Sequence, residues 1–193
     1  MRIEPRRKPI TPHRAAVLFD RDGVLIVDHG YVAQIDRLEW VTGAKRAVAQ
    51  LNAAGVLVIV ATNQSGVARG YFDLAAVSRL HEAMQQDLAI EGGKIDAFYV
   101  CPFHPEATVE AFRRVDHPDR KPNPGMILRA LADFDIAPEN SIVIGDKPSD
   151  LEAGRRAGVR SALFEGGDLL GFMAGLDLPW NRALLSQRGP ADL

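Results

Sequence analysis

Short apolar runs alternate with stretches of helical period along the chain. The runs are VLF at 17–19, VLVIVA at 56–61, AFYV at 97–100, SIVI at 141–144 and SALF at 161–164. Brief and largely apolar, they predict five buried strands. Between the first two, Ala44, Ala47, Val48, Leu51 and Ala54 fall on one helical face, with Thr42 as its cap and Gly55 as its stop. Leu74, Val77, Leu80, Met84 and Leu88 make a second face behind Asp73, a residue suited to a cap. A third helix opens with Asn123 and Pro124, and a shorter fourth runs from about Ser149 to Ala157 and stops at Gly158. Strand, helix and strand repeated in this way predict an α/β fold: a doubly wound, Rossmann-like parallel sheet with helices on both faces and right-handed crossovers. Residues 1–14 read as a tail and 15–193 as one domain, and the Gly- and Leu-rich stretch after Gly166 is left without a place.

Two irregular stretches exceed what a crossover requires, one from Val24 to Gly43 and one from Cys101 to Lys121. Both follow predicted strands, and long ordered loops in a compact domain are more often functional than short ones.

Composition narrows the class. The chain has 193 residues, 47% hydrophobic and 25% charged, an ordinary balance for a protein with a substantial core. A formal net charge of -2 offers no electrostatic footprint for nucleic acid or an anionic membrane, so a small ligand must be held by local groups. The single cysteine, Cys101, excludes an internal disulfide and suits a reducing compartment such as the cytoplasm. No apolar run approaches the roughly 20 residues of a membrane span, and the basic start MRIEPRRKPITPHR has no apolar core of a secretory signal.

The polar residues that follow the strands carry the chemistry. Asp20 and Asp22 follow the first run, Thr62 and Asn63 the second, Arg120 and Lys121 close the loop after the third, and Asp146 and Lys147 follow the fourth. Singly, each is a turn residue, a cap or a solvated charge. A calcium loop would also begin D-x-D, but Gly23 and Val24 stand where it needs a further oxygen ligand. Three acids, a hydroxyl and a lysine on the carboxyl edge of one sheet suit a divalent cation and a phosphate.

The same constellation resembles the haloacid dehalogenase superfamily of phosphohydrolases. Within it, DRDG, VDHGY, TNQSGVARG, RKPNPGM and GDKPSD are similar to the D-glycero-D-manno-heptose 1,7-bisphosphate phosphatases, with histidinol phosphatases as close relatives. The resemblance implies an Mg²⁺-dependent phosphomonoesterase acting through an aspartyl phosphate. Asp20 would be the nucleophile and a metal ligand, and Asp22 the acid and then base, its main-chain carbonyl also on the metal. Asp146 would be the second side-chain ligand, while Thr62 and Lys121 would hold the phosphoryl oxygens. Asp28, His29, Gly30 and Tyr31, with Asn63, Gln64, Ser65, Arg120 and Lys147, would meet a phosphorylated sugar. Asp150 would orient Lys147, sit near the metal or serve only as a first-turn acid.

Some relatives insert a cap domain, but about 40 residues between Asp22 and Thr62 and about 60 between Thr62 and Lys121 leave no room for one. A monomer selecting its substrate by loops is expected. Related enzymes often hold a structural zinc through Cys-x-His and Cys-x-Cys in the second long loop. Here Phe103 takes the histidine position and VDHPDRKP contains no cysteine, so a structural zinc is not expected. Cys101, His104, His117 and Asp119 would be an alternative set, a poor match to structural zinc. Other readings are a histidinol-phosphate or other small phosphomonoester phosphatase, a phosphomutase, whose intermediate an uncapped site would leak to water, and a non-catalytic phosphate-binding regulatory module. The intact Asp20, Asp22, Lys121 and Asp146 oppose the last.

Overall fold

The computed structural model describes residues 14–178 and Trp180. Five parallel strands, β1 (Arg14–Phe19), β2 (Leu57–Asn63), β3 (Ala97–Cys101), β4 (Ile136–Gly145) and β5 (Arg160–Leu163), lie in the order β3-β2-β1-β4-β5. Six α-helices among the described residues accompany them: α1 (Ala44–Ala53), α2 (Ser65–Ala68), α3 (Leu74–Ile90), α4 (Gly125–Asp133), α5 (Pro148–Arg156) and α6 (Leu169–Ala174).

The alternation of side chains along each strand divides the core into two layers. Val17 and Phe19 of β1, Val58 and Val60 of β2 and Ile142 and Ile144 of β4 pack with α1, α3 and α6. Ala16, Leu18, Ile59 and Val143 point the other way, onto α4 and α5. Val17, Leu18 and Phe19 are fully buried, and each such side chain stabilises the fold by roughly 1.5–3 kcal/mol. That fixes where the chain leaves the sheet, and the next residue is Asp20.

The expected sheet with helices on both faces is observed, with shifted boundaries. β4 begins at Ile136, well before SIVI, because a register irregularity opposite Arg14 and Ala16 absorbs the polar Glu139 and Asn140. β1 already includes Arg14, so the tail expected through that residue ends at or before position 13; positions 1–13 lie outside the described residues. Thr42 does not cap α1. Gly43 takes that place in the left-handed region at φ 76°, where a Cβ would lie 2.1 Å from the Asp168 carboxylate. Pro124, not Asn123, is the N-cap of α4, whereas Asp73 caps α3 as expected by accepting from the Ala76 amide. Leu74 is exposed, and His81 takes its place among the buried residues of α3. The stretch after Gly166 forms α6, whose Leu169 and Met173 complete the layer over α1, and positions 181–193 are outside the described residues. No helix among the described residues is long and apolar enough to cross a membrane.

Candidate active site

The carboxyl ends of β1, β2 and β4 surround a cavity of about 300 Å³, lined on one side by Asp20, Asp22, Lys121 and Asp150 and on the other by Asp28, Tyr31 and Lys147. Asp20 is held where β1 ends, its amide donating to the Ile144 carbonyl at 2.9 Å. Its Oδ1 accepts from the Arg21 amide at 2.7 Å and lies 3.0 Å from Lys121 Nζ. The same Nζ is 2.7 Å from Asp150 Oδ1, so a buried lysine sits between two buried carboxylates. Burial alone would push its pKa down, but Asp20 and Asp150 outweigh that and hold it above the usual lysine value.

Asp20, Asp146 and Asp150 can place one carboxylate oxygen each within 4.8 Å of one another. Asp146 Oδ1 is buried and has no hydrogen-bond partner among the described residues. Hard oxygen donors around an orphaned buried oxygen fit a cation such as Mg²⁺. Burial pushes the Asp146 pKa up, with Asp20 and Asp150 adding to the rise and Lys147 opposing it. Two glycines make this closeness possible. A Cβ on Gly23 would lie 2.5 Å from Asp146 Oδ2, and one on Gly145 would lie 2.1 Å from Asp150 Cβ.

The neighbouring motif residues act mostly as braces. Asn63 exchanges two hydrogen bonds with the Lys121 main chain, Nδ2 donating to its carbonyl at 3.0 Å and Oδ1 accepting from its amide at 3.1 Å. Gln64 donates to both Asp22 Oδ2 at 2.8 Å and Thr62 Oγ1 at 2.9 Å. Thr62 is fully buried behind it. Asp150 accepts from the Lys147 amide at 2.9 Å, closing a capping box at the start of α5. Lys147 Nζ lies 3.4 Å from both Asp28 and Asp146. Ser65, at the start of α2, lines the cavity.

In the first long loop, the Gly30 amide donates to Asp28 Oδ1, and Tyr31 follows in the left-handed region at φ 53°. His29 is turned to the rim, 2.7 Å from Glu39. Tyr31 meets the exposed Tyr71 edge to face, with ring centroids 4.8 Å apart. Tyr71 was not singled out from the sequence, and neither was Arg21, which is fully buried and grips the Asp22 carboxylate through Nη2 at 2.9 Å to each oxygen. An arginine between two acids reads as a solvated charge, so no local signal marked it.

The second long loop departs most from expectation. Arg120 donates to the Phe103 carbonyl at 3.1 Å and lines a separate recess with His117, Pro122 and Arg156, rather than the Asp20 cavity. Cys101, His104, His117 and Asp119 do not converge: Asp20, Asp146 and Asp150 are the one such metal-capable group among the described residues. Phe103 instead stacks on His117 at 4.0 Å, with Phe112 against its edge and Arg114 over its ring. Phe103→Ala should therefore speed hydrogen exchange across the loop from 102 to 120, while Cys101→Ser should cost little. Elemental analysis of tag-free protein should find no stoichiometric zinc, and its presence would overturn this account of the loop.

Known proteins resemble the chain over most of its length. The HAD-hydrolase-like family matches residues 119–169. The D-glycero-beta-D-manno-heptose-1,7-bisphosphate 7-phosphatase of Rhodopseudomonas palustris is 43% identical over 91% of this chain and 97% of its own. The D-glycero-alpha-D-manno-heptose-1,7-bisphosphate 7-phosphatase of Burkholderia mallei is 43% identical over 77% of this chain and 78% of its own. The structure of D,D-heptose 1,7-bisphosphate phosphatase from B. bronchiseptica, complexed with magnesium and phosphate, superposes with a TM-score of 0.73 at 31% identity, covering 90% of this chain and 99% of that one. With a near-full-length relative at this identity and a solved relative of the same fold, the chain belongs to the heptose-1,7-bisphosphate 7-phosphatase family of HAD-like hydrolases.

Proposed function

We propose that this protein removes the 7-phosphate of D-glycero-D-manno-heptose 1,7-bisphosphate, as a cytoplasmic monomer that requires Mg²⁺. The observation that carries the reading is Lys121 Nζ held between Asp20 and Asp150 beside the orphaned Asp146 oxygen. The Asp20 carboxylate attacks phosphorus in line, the bond from phosphorus to the sugar oxygen breaks, and Asp22 gives that oxygen a proton. Burial pushes the Asp22 pKa up against the opposing pull of Arg21, which favours the protonated form this step uses. In the second step Asp22 takes a proton from water as it attacks the aspartyl phosphate, and inorganic phosphate leaves. Lys121 balances charge on the transferring group throughout. The Thr62 hydroxyl, expected on a phosphoryl oxygen, is fully buried behind Gln64 and accepts from its Nε2, so it braces the site through Gln64 and does not line the cavity. Asp20, Asp146 and the Asp22 main-chain carbonyl would hold Mg²⁺, which supplies neutralisation of the phosphate dianion.

Asp28, Tyr31 and Lys147 on the open side suit a polyhydroxylated ligand with a second anionic group, since they offer acceptors, a hydroxyl and a cation. A panel of phosphorylated metabolites assayed with and without Mg²⁺ tests the substrate. The heptose bisphosphate should exceed histidinol phosphate in kcat/KM by roughly tenfold or more, the equivalent of about 1.4 kcal/mol. A preference for histidinol phosphate would overturn it.

Metal binding has its own test. Because Asp146 is raised in the fold, its protonated form favours folding, and that contribution is lost as pH rises from the ordinary carboxylate range through the raised value. At neutral pH its charge therefore opposes folding until a cation neutralises it. Saturating Mg²⁺ at about 100 times Kd should stabilise the wild type by about 2.7 kcal/mol. Asp146→Asn should melt at or above the metal-free wild type and lose most of the Mg²⁺ shift. An undiminished shift in that variant would remove Asp146 from the metal site.

A further inference from the structure

Arg21 is the largest fully buried side chain among the described residues, and it lies directly behind the acid of the proposed reaction. A buried guanidinium is tolerated only when its donors are matched, and here the partners come from four places. Nη2 reaches both Asp22 oxygens at 2.9 Å, the Val32 carbonyl at 2.7 Å and Gln64 Oε1 at 3.1 Å, while Nε adds a contact to Asp22 Oδ1 at 3.2 Å. Nη1 points to His81 Nε2 of α3 at 3.3 Å. A guanidinium only donates, so Nε2 accepts and the ring proton belongs on Nδ1. The ring is fixed by stacking on Phe98 of β3, with centroids 4.1 Å apart. Burial, together with the charge of Arg21, pushes the His81 pKa down to about 3, which keeps the acceptor neutral at working pH.

We propose that Arg21, seated on His81, is the positioning residue that holds the Asp22 carboxyl group in register for proton transfer to the leaving oxygen. The proposal rests on the reading of Asp22 as acid and base. A carboxyl group gripped at both oxygens cannot rotate away from its task, and positioning of this kind is a large part of what general acid catalysis requires. Lysine cannot reproduce the grip, because its ammonium is a single point donor rather than a planar fork.

Leaving-group dependence separates positioning from mere structural support. The sugar oxygen of a sugar phosphate leaves as a poor alkoxide and needs the proton, whereas the p-nitrophenolate of p-nitrophenyl phosphate leaves readily without it. Asp22→Asn should lose roughly 10²–10⁴-fold in kcat on the sugar phosphate and much less on the aryl ester. Arg21→Lys should show the same bias, with at least a roughly tenfold kcat loss on the sugar phosphate, KM little changed, and almost no further loss when combined with Asp22→Asn. His81→Leu should move kcat in the same direction by less, and His81→Gln, whose Oε1 can accept from Nη1, should recover most of it. If Arg21→Lys does not fold, the His81 pair carries the test. Equal losses on both substrates in the Arg21 and His81 variants, with the bias intact in Asp22→Asn, would overturn the positioning role alone. Equal losses in Asp22→Asn itself would overturn the acid assignment and this proposal with it.

Discussion

Asp20→Asn should abolish turnover and leave the fold intact. The amide matches the carboxylate in shape, and its oxygen can still accept from the Arg21 amide, now 2.7 Å from Oδ1. Lys121 keeps its closer partner, Asp150 at 2.7 Å, so the buried cation is not left alone. What disappears is the anionic oxygen that forms the bond to phosphorus. Loss of a nucleophile in a site otherwise preserved typically costs on the order of 10³-fold or more in kcat, and a melting curve near that of the wild type is expected alongside it. Acid quench during turnover should trap phosphate on the peptide containing Asp20 in the wild type and on no peptide in the variant. Phosphate trapped on another residue would overturn the assignment.

Lys121→Met should damage both stability and activity. Methionine fills a similar length without charge, leaving Asp20 and Asp150 buried without their shared cation and next to Asp146. Breaking a buried ion pair from one side costs about 3–5 kcal/mol. Loss of the positive charge facing the transferring group should lower kcat by a further factor of about 10²–10³. The two effects separate in a second variant, since adding Asp150→Asn removes one of the stranded charges. Urea melts of the double variant should recover part of the lost stability while kcat stays low. Unchanged stability in Lys121→Met would mean that its charge does not hold these acids together.

The sheet and the acids at its edge are legible in the amino-acid pattern alone. Strand and helix periods are local, and burying VLF or SIVI on both faces requires only that such runs lie side by side. Asp20 and Asp146 were legible for the same reason, because a polar residue that ends a buried run must emerge at one edge of a parallel sheet, whereas Lys121, at the end of a long loop, was legible only through its motif RKPNPGM. Where side chains point within that edge was settled only in three dimensions. Arg21 finds His81 sixty residues away, and Asn63 braces Lys121 across fifty-eight. Arg120, adjacent to Lys121 in sequence, turns to the Phe103 carbonyl instead of the cavity. Phe103 and His117 hold their loop by stacking, with no metal-ligand spacing to announce it. A buried charge or ring takes the orientation that satisfies its partners, since leaving a charge unmatched costs several kcal/mol, and those partners arrive from segments that only the packed fold brings together.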